Sequence, residues 1–126
     1  MHQTFKRFVN PSHLNTYGTL HGGWLLQWFD EAAAIAAAEL TGRTCVTRHI
    51  REVDFIHTAV SGDIVVITVR PVAAGRTSLT FAGEAINRRT GDLMATVGRI
   101  TFVALDGDRR PAAHGVTLPA AAGEQP

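Results

Sequence analysis

Between Trp24 and Glu39 the only polar side chains are Gln27, Asp30, Glu31 and Glu39, and the stretch holds neither Gly nor Pro. Ala and Leu dominate it, and both are strong helix formers. The pattern predicts a helix from His21 or Gly22 to Leu40, about 30 Å long at about 1.5 Å per residue. Gly42 follows as its C-terminal cap. A helix that is apolar on nearly every side is expected to be buried.

The pattern on either side of this helix is that of strands. Thr4 to Val9 alternates loosely and predicts a short strand, broken by Asn10-Pro11-Ser12. Residues His13 to Leu20 read as a loop. Thr44 to Phe55 alternates imperfectly, which predicts a strand with a bulge. Ile64 to Val72 is β-branched almost throughout and predicts a strand. Thr77 to Asn87 and Leu93 to Leu105 complete the set, with turns at Ala74-Gly75-Arg76 and Arg88 to Asp92. Short turns join antiparallel neighbours. The expected fold is therefore α+β: a curved antiparallel sheet wrapped around one long central helix. Ile64-Val65-Val66-Ile67 is apolar at both parities, so both faces of the sheet should be covered, and the chain should be a dimer at least. Residues 1–107 are expected to form a single domain. Residues 108–126, rich in Ala, Gly and Pro, should be an extended and partly disordered tail.

Composition narrows the class. A chain of 126 residues, 45% apolar and 18% charged, is one globular domain. A net charge of +1 and the lack of a basic stripe argue against nucleic acid as a partner. Neither a signal core nor a long uncharged apolar run is present, which points to a soluble, cytoplasmic protein without a membrane partner. The single Cys45 reads as a small buried hydrophobe. The histidines lack metal-ligand spacing, and there is no G-x-S-x-G elbow or phosphate-binding Gly-rich loop. No metal is expected.

The candidate chemistry lies on the helix. Asp30 and Glu31 are about 100° apart around its axis, so one can face a protected place while the other meets solvent. A carboxylate in an apolar setting suits acid–base work. The glycines at the helix start let a ligand approach backbone N–H groups that lack helical partners.

Three motifs, taken together, resemble the hotdog-fold acyl-CoA thioesterases of the acyl-CoA hydrolase type. Asn15, Gly18, His21, Gly22, Gly23 and Asp30 match N-x-x-G-x-x-H-G-G followed by Asp. Val53 to Asp63 is similar to the family's strand and F-L-R-P-x-x-x-G-D stretch, with His57-Thr58 in place of Arg-Pro. Gly75-Arg76-Thr77-Ser78 is similar to its G-[KR]-T-S hairpin. The resemblance covers about residues 5–105.

That resemblance implies hydrolysis of an acyl-CoA thioester to CoA and a carboxylic acid, with no cofactor, CoA being part of the substrate. Gly23, with Gly22, would supply the oxyanion hole. Asp30 would act as general base or as nucleophile. Asn15 would orient the water or the oxyanion, and His21 would hold the turn as a neutral ring. Arg76, Thr77 and Ser78 would meet the CoA phosphates. Arg88-Arg89 is a second cationic candidate for the same role, and Thr47 could bind the attacking water. Asp30 lies about 10 Å along the axis from Gly23, and the family shares such sites between protomers of a homodimer, itself part of a tetramer or hexamer. A non-catalytic acyl-CoA-binding module and a hydratase of the same fold are the alternatives. The former would not need a buried Asp30.

Overall fold

A computed structural model describes residues 2–119. The long helix α1 (Gly22–Thr41) packs on one face of a five-stranded antiparallel sheet formed by β1 (Gln3–Phe8), β2 (Thr44–Phe55), β3 (Ile64–Ala74), β4 (Ser78–Asn87) and β5 (Leu93–Leu105). The order across the sheet is β1-β3-β4-β5-β2, so β1 and β2 are its edges. A short 3-10 turn, Pro11–His13, stands where a plain loop was expected, because Pro11 presets the first helical φ. β1 ends one residue before the predicted Val9, and β3 runs two residues past the predicted Val72.

The helix differs from expectation in how it is buried. Leu25, Trp28, Phe29, Ala32, Ala33, Ala36 and Ala37 form one buried face, whereas Gln27, Glu31, Ile35 and Glu39 are exposed. The alanines let the helix lie close to the sheet. Trp28 and Phe29 belong with Val69, Phe81 and Phe102 to one continuous core. Burial is therefore one-sided within the chain, because a single sheet can cover only one side of a helix.

The β2–β5 pair carries two irregularities that the sequence pattern showed only as broken alternation. Between Thr47 and His49 the register of β2 against β5 slips by one residue. Further along, Ile50 and Val53 both pack toward the core, and so do their partners Ile100 and Val97. Each strand thus carries one residue too many for simple alternation, at matched positions. Glu52 takes a φ of 62° there. A Cβ on Gly98 would lie 2.8 Å from the Glu52 Cβ, so only Gly fits opposite it.

One buried charge ties two loops together. The Asp63 carboxylate accepts from Arg89 Nε at 2.6 Å, Asn87 Nδ2 at 2.9 Å and the Val60 amide at 2.9 Å. Arg89, weighed from sequence as a phosphate contact, is engaged in this structural pair. The Arg89 guanidinium, with smaller help from the Val60 amide and Asn87, holds the Asp63 carboxyl well below the usual carboxylate range, against the opposing effect of burial. With a depressed folded value, its stabilisation is present above the unfolded value of about 4 and is lost as pH falls. Asp63→Asn is expected to cost about 2 kcal/mol at neutral pH. In urea unfolding, the gap to the wild-type protein should narrow once pH drops below about 4.

Beyond β5 the described chain forms a turn and an isolated bridge between Leu105 and Pro111, with no further helix or strand up to residue 119. Residues Ala112, His114, Val116 and Leu118 turn toward the body and alternate with exposed neighbours. The disorder expected at its end concerns residues 120–126, which lie outside the described residues.

Candidate active site

Asn15 to Leu20 forms a closed loop leading into α1. A bridge joins Leu14 to Leu20, and the His21 amide donates to the His13 carbonyl at 2.9 Å. Asn15 organises this loop. Its Oδ1 accepts from the Tyr17 amide at 2.9 Å and the Thr19 amide at 3.1 Å, while its Nδ2 donates to Thr19 Oγ1 at 3.0 Å. One Nδ2 hydrogen is left for another acceptor.

His21 is the N-cap of α1, and its Nδ1 accepts from the Gly23 amide at 2.9 Å. The Gly23 N–H, expected as an oxyanion donor, is thus held by the neighbouring imidazole in this conformation. A side chain at Gly23 would collide with that ring, 2.9 Å from where a Cβ would stand. The Gly22 amide donates to no protein acceptor among the described residues. The Phe55 ring packs 3.6 Å from the place of a Gly22 Cβ, so the helix start lies beside the last residue of β2.

Two turns into the helix, half-buried Asp30 accepts a 2.6 Å hydrogen bond from Thr47 Oγ1, near the other end of β2. Its neighbour Glu31 turns the opposite way, toward β1, and pairs in the open with Arg7 at 3.0 Å. Asp30 therefore faces the β2 edge of the sheet and Glu31 the β1 edge. No hydrogen bond joins Asp30 to Asn15, His21, Gly22 or Gly23 within the chain. Arg76, Thr77 and Ser78 form the β3–β4 turn, with Arg76 exposed. Along the helix start, Leu25, Trp28 and Phe29 are core, and Trp24 is half-buried beside His13. Thr47, expected to bind the attacking water, instead donates to Asp30, a pairing hidden from the sequence because the slip at Arg48 resets which side chains of β2 face the helix.

The motif from Asn15 to Asp30 thus spans the loop and the first turns of α1, and Gly75 to Ser78 form the β3–β4 turn. Residues 17–94 match the family model described as the thioesterase superfamily. The chain belongs to the thioesterase superfamily. An uncharacterised acyl-CoA thioester hydrolase of Zymomonas mobilis is 36% identical to this thioesterase over 80% of the chain and 70% of the relative. A mouse acetyl-coenzyme A thioesterase is 33% identical over 76% of the chain, which spans 18% of that longer protein.

Among solved structures, an acyl-CoA hydrolase of Staphylococcus aureus, in complex with butyryl-coenzyme A, coenzyme A and coenzyme A disulfide, superposes with a TM-score of 0.78 at 32% identity, covering 89% of this thioesterase and 68% of the other chain. An apo-hexameric acyl-CoA thioesterase superposes at 0.81 with 31% identity, covering 89% and 74%. The hotdog fold expected from sequence is thereby established. The S. aureus enzyme has also been solved as single alanine mutants of an Asp, an Asn and a Thr.

Proposed function

We propose that this thioesterase hydrolyses acyl-CoA to CoA and a carboxylic acid, in a site built from Asp30 and Thr47 of one protomer and the helix start and Asn15 of a second. The observation that carries the proposal is the Asp30–Thr47 hydrogen bond at 2.6 Å, placed beside an edge strand open to pairing. In the S. aureus enzyme the three mutated positions follow the order Asn, Asp, Thr with steps of 15 and 17 residues, the steps that separate Asn15, Asp30 and Thr47.

The strand geometry explains why two protomers are needed. β2 is a 12-residue edge strand, and a long open edge pairs readily with a second copy. Antiparallel pairing about a two-fold axis near its middle sets the Thr47 end of one β2 against the Phe55 end of the other. Asp30 lies beside Thr47, and Gly22 lies beside Phe55. Pairing therefore brings the carboxylate of one helix toward the N-terminus of the other.

Each group then has a task. Thr47 donates to Oδ1 of Asp30, which leaves Oδ2 to take a proton from water as the oxygen attacks the thioester carbon. The oxyanion forms at the helix N-terminus, where the Gly22 amide is open and the Gly23 amide becomes so when the His21 ring swings aside. The remaining Nδ2 hydrogen of Asn15 orients the water or the carbonyl. As the tetrahedral intermediate collapses, the C–S bond breaks and the proton on Asp30 passes to the departing thiolate. Arg76 and the turn around it meet the CoA phosphates. No cofactor is required by this chemistry.

The outer face of the sheet holds an open basin of about 810 Å³, lined by Arg70 and Arg99 alongside Glu52, Asp54 and Glu84. Charges of both signs suit contact with another copy, and dimers meeting through this face would form the larger assembly, a hexamer as in the relative named above. Light scattering reads the mass directly.

The deciding experiment is thiol release from short, long and aromatic acyl-CoAs. Turnover of any class supports the proposal and names the acyl group. Binding of acyl-CoA without turnover of any of them would sink it in favour of a binding module. Thr47→Val, which keeps the shape and removes the hydroxyl, should lower kcat about tenfold, the worth of one hydrogen bond of about 1.4 kcal/mol.

A further inference from the structure

We infer that His114, in the tail beyond β5, is a positioning residue that fixes the Gly75–Ser78 turn and thereby sets how tightly the CoA nucleotide is held. The inference rests on the reading of that turn as the phosphate contact. The tail lies past residue 94, where the family match ends.

After β5 the chain reverses at Asp106, whose carboxylate accepts from the Asp108 amide at 2.8 Å and the Arg110 amide at 3.1 Å. It then runs back along the end of β5, with the Ala112 amide donating to the Ala104 carbonyl at 2.8 Å. Arg43, just after the helix cap, donates to the Ala113 carbonyl at 3.2 Å. Val116 and Leu118 pack against the core. The tail is thus anchored on both sides of His114.

His114 grips the turn at two points. Its amide donates to the Arg76 carbonyl at 3.2 Å, and its Nε2 lies 2.7 Å from the Ser78 carbonyl. Nδ1 accepts from the Val116 amide at 2.9 Å, so the ring proton sits on Nε2 and is donated to Ser78. The intervening Thr77 carbonyl accepts from the Ala104 amide at 2.8 Å. Three consecutive carbonyls are therefore drawn toward the protein. The amides of Arg76 and Thr77 donate to no protein acceptor among the described residues, and the Arg76 side chain is exposed. Gly75 completes the lock: Ser78 Oγ lies 2.5 Å from where a Cβ would stand. A turn with its carbonyls pinned inward and its amides and guanidinium outward is preorganised for an anion.

The test compares wild type with His114→Ala and His114→Phe, the latter keeping the bulk of the ring without its nitrogens. With acyl-CoA, KM should rise about tenfold while kcat stays within about twofold, the pattern of lost uniform binding. With the matching acyl-pantetheine, which lacks the nucleotide, KM should not change. His114→Gln can still donate to Ser78 and accept from Val116, and should restore most of the wild-type KM. An unchanged KM in folded His114→Ala, or in His114→Phe if the alanine variant does not fold, would overturn the inference. So would an equal rise with acyl-pantetheine, which would place the effect at the thioester. Should wild type hydrolyse nothing, the functional proposal fails separately, and CoA itself is titrated calorimetrically. Binding about tenfold weaker in the variants then upholds the role of His114. Equal binding, or no binding by wild type, overturns it.

Discussion

Asp30→Asn should lower kcat for acyl-CoA hydrolysis by about two to four orders of magnitude, the usual worth of a positioned general base. The substitution is nearly isosteric. Asparagine can still accept from Thr47 through its carbonyl oxygen, so the helix and β2 should keep their contact and thermal unfolding should move little. What disappears is the oxygen that takes the proton of water. The expected signature is a collapse of kcat with KM for acyl-CoA close to wild type, read by thiol release and by calorimetric binding of CoA. A rate unaffected by Asp30→Asn would keep the hydrolase and discard this mechanism. Glu31 would not inherit the role readily, because it faces the opposite edge of the sheet and is paired with Arg7.

The second large effect comes from mixing inactive chains. Asp30→Asn and Asn15→Ala should each be inactive or nearly so, yet a mixture refolded from equal amounts should recover about a quarter of wild-type activity. In a mixed dimer one site receives both altered residues and the other receives neither. The intact site works, and half of all dimers formed at random are mixed. If each site belonged to one protomer, no combination of the two chains would contain an intact site and the mixture would stay inactive. The result therefore tests the β2 pairing itself, independently of whether Asp30 acts as base or as nucleophile.

Much of this fold is written in local pattern. Ala and Leu without Gly or Pro marked α1 to within a residue at each end, and β5 and β2 were bounded by their turns. The broken alternation in Thr44 to Phe55 announced a bulge, and Thr47/His49 is where the register slips. The one-sided burial of α1 was hidden, since composition shows that a helix is apolar but not how many surfaces are available to cover it. The motif Asn15 to Asp30 placed its members on one loop and helix, which local spacing determines. The pairing of Asp30 with Thr47 depends on a bulge that resets the facing of β2, and no local signal gives that facing. Arg89 looked like Arg88 in sequence, and only the buried Asp63 distinguishes them. The tail was read by its Ala, Gly and Pro content, although the alternation Ala112, His114, Val116, Leu118 was the signal that it lies against something.

The matched extra residues at Glu52 and Gly98 carry a consequence for length variation in this chain. Loss of one residue from β2 there would turn Val53 and Phe55 to the opposite face, taking Phe55 from the helix start and exposing Gly22. Loss of one residue from β5 alone would do the same to Val97 and Ala95. Loss of both together would keep every facing pair in step and merely straighten the sheet. Deletions in these two strands are therefore tolerable in couples and ruinous singly, so this part of the chain can change length only by two coordinated steps.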